Sequence, residues 1–308
     1  MIQYWHKTIK SKKFKQLDSH KAGSWIYVED PTDAEQQILT DTFKIDEGML
    51  EDALDIDEVP RFETEDNIHY VFTRFPLTDT NLQVVTVPIL IAISGSYIMT
   101  ISLRPIPRLE KIMNSTEANT TQRVKLLLNI IDHIVDDYER HLTAISKQII
   151  SVRNRLRVEQ VSNKDFIGFV TIEDELNDFM SALVPTNTLL KRLMTGRHIK
   201  LFEEDIELIE DLLLSNEQSI ESAKSNIKTI VSIREAYSTI STNNLNQVIR
   251  LLTSLTVVLT VPTIIASLYG MNVDLPFQNE PGAFVIVISS TIIVSSILIL
   301  IFRKNKWL

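Results

Sequence analysis

Two stretches close to the C-terminal end of this 308-residue chain contain no Asp, Glu, Lys or Arg. Residues 251–270 read LLTSLTVVLTVPTIIASLYG, and residues 283–302 read AFVIVISSTIIVSSILILIF. At about 1.5 Å per residue, a helix of either length crosses a hydrocarbon core of roughly 30 Å. Lipid offers no partner to a free peptide group, so a crossing segment of this kind must be helical. The pair predicts two transmembrane helices rather than two helices of a buried core.

Flanking charge gives them a direction. Between the runs lie Asp274 and Glu280 and no Lys or Arg; Arg250 precedes the first run, and Arg303, Lys304 and Lys306 follow the second. Cations mark the cytoplasmic side. The expectation is a multi-pass protein of the cell membrane with both termini cytoplasmic, an external loop at 271–282 and a basic cytosolic tail at 303–308. Trp307 suits an interfacial aromatic.

What precedes the runs has the character of a domain in water. The chain is acidic, with 31 Lys and Arg against 40 Asp and Glu and a net charge of −9, and it has no Cys. That removes a disulfide framework, a thiolate metal site and a thiol nucleophile, and it suits a cytosolic setting. The acidic balance argues against a general nucleic-acid binder. The start, MIQYWHKTIKSKK, lacks the apolar core of a signal peptide. No GxxxxGK[ST] loop is present, so nothing suggests ATP use. The histidines at 6, 20, 69, 133, 141 and 198 form no HxxxH pair. Neither an enzyme nor an organic cofactor is expected.

Residues 1–108 predict an α+β domain, α/β/α sandwich-like. SWIYVED (24–30), NIHYVFTRFPL (67–77) and QVVTVPILIAISGSYIMTISL (83–103) are rich in β-branched and aromatic residues. The last reads as two strands joined around Ser94, Gly95 and Ser96. Helical stretches fall between the first two, with Asp30 or Thr32 as cap and Pro31 at the first helical position. Residues 109–248 predict long helices forming a stalk, because Gly and Pro become scarce. One helix is expected from about 203 to 270. Ile206, Ile209, Leu213, Ile220, Ala223, Ile227, Ile230 and Tyr237 give it a heptad-like seam, interrupted by Asn216, Arg234, Ser241 and Asn244.

The first apolar run carries a polar stripe. Thr253, Thr256, Thr260, Thr263 and Ser267 follow at steps of 3, 4, 3 and 4. The same step reaches Ile249 and Asn246 backward and Gly270 forward. Such residues share one helix face. Hydroxyls on a membrane helix either bond back to their own carbonyls, join helix to helix, or line a wet path. Two spans cannot enclose such a path, so a pore requires a symmetric ring of copies. A stripe without carboxylates suits a cation that keeps its water, as magnesium does. Gly270 is placed to stop the helix, and Asn272 tolerates similar backbone conformations. In a ring, the Asn272 amides gather at the outer mouth.

Tyr269-Gly270-Met271-Asn272 after the first of two C-terminal spans, with KNKWL at the end, resembles the CorA family of magnesium channels. LEDAL (50–54), Pro60-Arg61 and IVDDY (134–138) extend the likeness over essentially the whole chain. The resemblance implies a homopentameric funnel whose first span, 249–270, lines the pore, with residues 283–302 as the second span. Gly270, Met271 and Asn272 match the selectivity filter. Asn246, Ile249 and Leu252 match the cytoplasmic gate, and Thr256, Thr260 and Thr263 match pore-lining positions that join Thr253 and Ser267 in the stripe. The stripe is richer in Thr than in relatives, which often place Met or Ala there.

The family's cytosolic Mg2+, which bridges neighbouring subunits and holds the pore shut, implies ligands at Asp52, with Glu51 beside it, and Asp211. Glu203, Glu204, Glu207, Glu210 and Asp211 equally fit a solvated face. Magnesium is therefore expected as both cargo and regulator, with cobalt or nickel as alternative cargo. The implied partners are further copies of the chain and the lipid bilayer. A zinc transporter of the ZntB type shares the architecture, although its loop usually departs from Met at the middle position. A membrane-anchored scaffold that conducts nothing is the reading from another class.

Overall fold

The computed structural model of the chain describes residues 1–11, 13–80, 83–115, 118–155, 163–197, 199–273, 275–276 and 281–307; for 163–166 it describes the backbone. The strands are β1 (Ile2–His6), β2 (Lys15–Leu17), β3 (Ser24–Glu29), β4 (Arg61–Glu65), β5 (Ile68–Thr78), β6 (Val84–Ile93) and β7 (Tyr97–Ser102). The helices are α1 (Asp33–Asp41), α2 (Glu47–Ala53), α3 (Leu109–Asn114), α4 (Arg123–Arg155), α5 (Asn163–Met194), α6 (Glu203–Tyr269) and α7 (Ala283–Lys304). They fall into two compact units, Met1–Val231 and Ser232–Leu308.

The first unit is built on one seven-stranded sheet of order β2-β1-β3-β7-β6-β5-β4. β4 to β7 form an antiparallel meander, and its last strand returns to lie parallel to β3. The central strands β3, β7 and β6 are buried on both faces, because helices cover both. Toward α1 and α2, Ile26, Val28, Tyr70, Phe72, Leu90, Ala92, Met99 and Ile101 close over Leu39, Phe43 and Leu50. On the opposite face α4 and α5 pack against β4, β5 and β6. Tyr138 Oη donates to the Arg74 carbonyl there (3.1 Å), and the Thr73 and Thr186 hydroxyls share a hydrogen bond (3.3 Å). Three layers, helix on sheet on helix, are the expected fold class.

Local chemistry explains the ends of the elements and corrects one expectation. Thr32, not Asp30, caps α1: its Oγ1 accepts from Glu35 N, and Glu35 reaches back to Thr32 N. Pro31 therefore precedes the cap instead of occupying the first helical position. Asp30, with φ 41°, makes the bend that lets Pro31 sit there. Residues 94–96 turn between β6 and β7, as the sequence predicts, with Ser94 N donating to Tyr97 O (3.0 Å).

The seam of α6 differs from the expected one. The buried positions of its first part are Asp205, Ile209, Leu212, Asn216, Ser219, Ile220, Ala223, Asn226 and Ile230, of which Ile209, Ile220, Ala223 and Ile230 belong to the expected seam. Ile206, Leu213 and Ile227 are only half-buried. Asn216 does not interrupt the seam but belongs to it, wholly buried, with Nδ2 donating to Leu183 O of α5 (2.9 Å). Asn226 Oδ1 likewise accepts from Ser146 Oγ of α4 (3.0 Å). Each amide has one end hydrogen-bonded and the other, Asn216 Oδ1 and Asn226 Nδ2, buried without a partner, so the face is partly polar and apolar counting alone misplaces it.

Candidate ion-conduction and regulatory sites

α6 is one helix from Glu203 to Tyr269, close to the expected span of 203 to 270, and it continues through Pro262. Its C-terminal part and α7 are each long and apolar enough to cross a membrane, and their windows of highest hydropathy are almost entirely unburied. Within the second unit the described residues show only Ile233 and Ser254 as buried. Half-buried positions continue from Ser254 along one side of α6 at Val258, Val261 and Ile265, and along one side of α7 at Val287, Thr291, Ser295, Leu298 and Phe302. Spacings of 3 and 4 place each set on one side of its own helix.

The hydroxyl stripe is on another face. Thr253, Thr256, Thr260, Thr263 and Ser267 are all exposed. At about 100° per residue, their mean direction lies about 150° around α6 from the face of Ser254, Val258, Val261 and Ile265. The threonines are thus not buried against the chain's own α7. Asn246, Ile249 and Leu252 are exposed as well. Asn246 and Ile249 continue the stripe, while Leu252 stands at its edge.

Three of these hydroxyls are already bonded within α6. Thr256 Oγ1 donates to Leu252 O (2.8 Å), Thr260 Oγ1 to Thr256 O (2.7 Å) and Thr263 Oγ1 to Leu259 O (2.9 Å). Back-bonding uses each donor and leaves the oxygen lone pairs facing outward. A row of acceptors without carboxylates is the result. The Thr263 bond also supports a turn weakened by Pro262, whose ring nitrogen offers the Val258 carbonyl no N–H.

At the end of α6, Gly270 N donates to Ala266 O (3.0 Å) and Met271 N to Leu268 O (3.2 Å). The helix stops where expected, but not through a left-handed glycine, since Gly270 is not among the residues with positive φ. A Cβ at this position would sit 3.3 Å from the Ala266 carbonyl, so the glycine serves a close approach. Met271 and Asn272 follow in an exposed bend. Tyr269, the first residue of the motif, ties the loop back: its Oη donates to Pro276 O (3.3 Å). Asp274 and Glu280, from which loop polarity was read, lie outside the described residues, as does His198.

In the first unit, Glu51 and Asp52 lie on α2 and Asp211 lies on α6. Asp211 is exposed, as are Glu203, Glu204, Glu207 and Glu210. Among the described residues no three His, Cys, Asp or Glu side chains gather as a metal site. Carboxylate oxygens facing solvent are nonetheless the hard donors magnesium takes. Asp52 carries a partner that sequence reasoning missed. Its Oδ2 accepts from Arg61 Nη2 (2.5 Å), and the same guanidinium binds Glu58 through Nη1 and Glu63 Oε1 through Nε (2.5 Å). Burial alone would lower the pKa of Arg61; Glu63, Glu58 and Asp52 outweigh it and hold the group above its ordinary value.

A second ionic cluster lies within IVDDY. Asp137 is buried and pairs with Arg108 and Arg140, and His133 Nε2 meets Pro107 O at 2.8 Å. It fixes the start of α3 to α4, and its carboxylate, Asp137, is buried.

The family model described as CorA-like Mg2+ transporter protein matches residues 20–304. A cobalt/magnesium transport protein CorA from Methanocaldococcus jannaschii is 25% identical over 295 residues, covering 92% of this chain and 91% of the relative. A magnesium transport protein CorA from Wolinella succinogenes is 24% identical, covering 92% and 91%. Among solved structures, the complete CorA magnesium transporter from M. jannaschii superposes with a TM-score of 0.88 at 23% identity, over 100% of this chain and 99% of that one. The ZntB cytoplasmic domain from Vibrio parahaemolyticus does so with 0.64 at 11% identity, over 78% and 98%. At such identities a structural likeness establishes fold alone. The family match spans nearly the whole chain, and the chain belongs to the CorA-like Mg2+ transporter proteins.

Proposed function

We propose that the chain is a magnesium channel that carries Mg2+ into the cell down the membrane potential, with Co2+ and Ni2+ as secondary cargo. The observation that carries this reading is the hydroxyl stripe of α6, exposed over its whole length, on a different face from the half-buried side of the helix, and ending at Gly270-Met271-Asn272. Five copies arranged as a ring bring five such faces around one axis. In that ring Thr253, Thr256, Thr260, Thr263 and Ser267 present oxygen acceptors to a hydrated cation. Gly270, Met271 and Asn272 form the outer filter, where the Asn272 amide oxygens hold the ion through its water shell. Asn246, Ile249 and Leu252 form the cytoplasmic gate. Both termini are cytoplasmic.

Two positive charges moving inward through 100 mV release about 4.6 kcal/mol, equivalent to a concentration ratio of roughly 10³. Uptake then needs no coupled reaction. Closure follows from cytosolic Mg2+ held between Asp52, with Glu51, of one copy and Asp211 of its neighbour. Like charges at that interface repel, and a dication relieves the repulsion. When internal magnesium falls, the ring loosens.

The test is flux of Mg2+ into liposomes holding the full-length protein, with a potential imposed and Co2+ and Zn2+ run in parallel. Magnesium flux is expected in wild type and lost in Asn272→Ala, with the same oligomer by mass. Normal flux in that variant removes the filter assignment. Zinc flux without magnesium flux selects the ZntB-like reading, whose cytoplasmic fold is shared, and absence of any flux after internal magnesium is removed selects a scaffold.

A further inference from the structure

The two carboxylates assigned to closure have different surroundings. Asp211 has no hydrogen-bond or ion-pair partner among the described residues and faces solvent. Asp52 already carries a cation, since Arg61 Nη2 stands 2.5 Å from its Oδ2. Arg61 is poorly free to leave. Its guanidinium lies 4.0 Å from the centroid of the Phe72 ring, which is itself buried, and all three of its edges are engaged by Asp52, Glu58 and Glu63. Of those carboxylates Asp52 is the most exposed, at 45%, against 40% for Glu63 and 13% for Glu58. A divalent ion approaching Asp52 from solvent therefore meets a carboxylate that is half neutralised and has one oxygen already taken.

We propose that Arg61 is a tethered counter-cation that competes with Mg2+ for Asp52 and so sets the internal magnesium concentration at which the channel closes. This rests on the reading of Asp52 and Asp211 as shared magnesium ligands. The competition is electrostatic and geometric. A guanidinium fills one carboxylate edge with directed hydrogen bonds, and its charge repels a second cation on the other oxygen. Three carboxylates around one Arg keep the residue charged and fixed, so the handicap imposed on Asp52 is constant. A ligand without such a neighbour, as Asp211 is, binds at its full charge. The pairing places the threshold of closure above the value that bare carboxylates would give.

Removing the charge should make closure more sensitive, which is a direction that damage to the fold does not produce. The experiment titrates internal Mg2+ against flux in liposomes holding the full-length protein, and follows protease protection by Mg2+ as a readout independent of conduction. Arg61→Gln is expected to lower the half-inhibiting concentration about two- to fivefold, the scale of a partly exposed ion pair. Arg61→Lys keeps the charge, but an ammonium cannot bridge three carboxylates; a smaller shift the same way is expected, and it decides the matter if the glutamine variant does not fold. Asp211→Ala should raise the half-inhibiting concentration. An unchanged or raised value in the Arg61 variants, with Asp211→Ala shifting as expected, overturns the role of Arg61 and leaves the closure site standing. No shift in Asp211→Ala or Asp52→Ala removes the closure site, and the competition with it.

Discussion

Side-chain hydroxyls have wider partners in the first unit than in the second. In the first, helix hydroxyls such as Thr40, Ser146 and Thr186 bond back to their own helices, but others reach across the fold: Thr120 Oγ1 donates to Lys7 O (3.1 Å), the Trp25 indole donates to Thr100 Oγ1 (3.0 Å), and Thr73 meets Thr186 (3.3 Å). In the second they turn back on their own helices, as Thr256, Thr260 and Thr263 do in α6 and Ser290 and Thr291 do in α7. Apolar side chains divide in the same way. Trp25, Ile26, Val28, Phe72 and Leu90 have 1% exposure or less, whereas Leu252, Leu259, Phe284 and Leu300 have 60% or more. The first unit supplies its own apolar interior and satisfies its polar groups by tertiary contact. The second satisfies several of its polar groups within its own helices and leaves its apolar surface exposed, as segments suited to a membrane do.

The largest expected effect sets these two kinds of apolar residue against each other. Trp25→Ala opens a hole in a closed core and should cost about 3–5 kcal/mol, lowering the melting temperature by roughly 10 °C. Phe284→Ala, on a side chain 76% exposed, should cost under about 0.5 kcal/mol. Both are measured on the full chain in detergent. Equal losses would mean that α7 is packed in water as tightly as the sheet, and the contrast would fail.

An intermediate effect separates two sets of hydroxyls that share the same bonding. Thr260→Val with Thr263→Val removes acceptors from the exposed stripe, while Thr291→Val removes one from the half-buried side of α7. Helix and volume are nearly preserved in each. Magnesium flux should fall roughly tenfold in the first, equivalent to about 1.4 kcal/mol, and change less than about twofold in the second. A loss confined to Thr291→Val would assign the water-facing side to α7.

The same contrast explains what the sequence disclosed. Periodic features were legible: the stripe at steps of 3 and 4, the β-branched runs of β5, β6 and β7, and the helix that ends at Tyr269. Strand β4, RFETE, was not, because Phe62 alone is buried and the charges around it hide the alternation of an edge strand. β1, IQYWH, is half-buried throughout and has no periodic face to read. Asn216 reads as a break in the seam because its partner, Leu183 O, lies 33 residues away. Of the candidate sites, Asp52 was legible as a residue but not as one member of an ion pair. Arg61 meets it only because the chain turns between α2 and β4. Tyr269 closing on Pro276 is similarly a product of three-dimensional closure.

The smallest effect is acid sensitivity, and it should belong to the first unit alone, since no histidine follows His198. His133 and His141 are held below their ordinary value of 6.5, first by burial and then by Arg108; burial also lowers His20, and burial with Lys21 lowers His6. A lowered pKa means that the folded chain binds these protons less readily than the unfolded one. Stability from this source is complete above 6.5 and is lost as pH falls through the folded values, at no more than about 1.4 kcal/mol per pH unit for each group. Glu139, Glu175 and Asp178, raised by burial, act oppositely and nearer to their ordinary 4.5 and 3.8. His133 should contribute most clearly, because burial, with Arg108 and Lys111, opposes its charge more than the Pro107 carbonyl and Asp136 favour it. Melting temperatures of wild type and His133→Asn between about pH 7 and pH 5 give the two slopes. The variant should melt lower at neutral pH, having lost a buried contact, yet decline less steeply with acid; parallel slopes would show that this histidine exchanges no proton on unfolding.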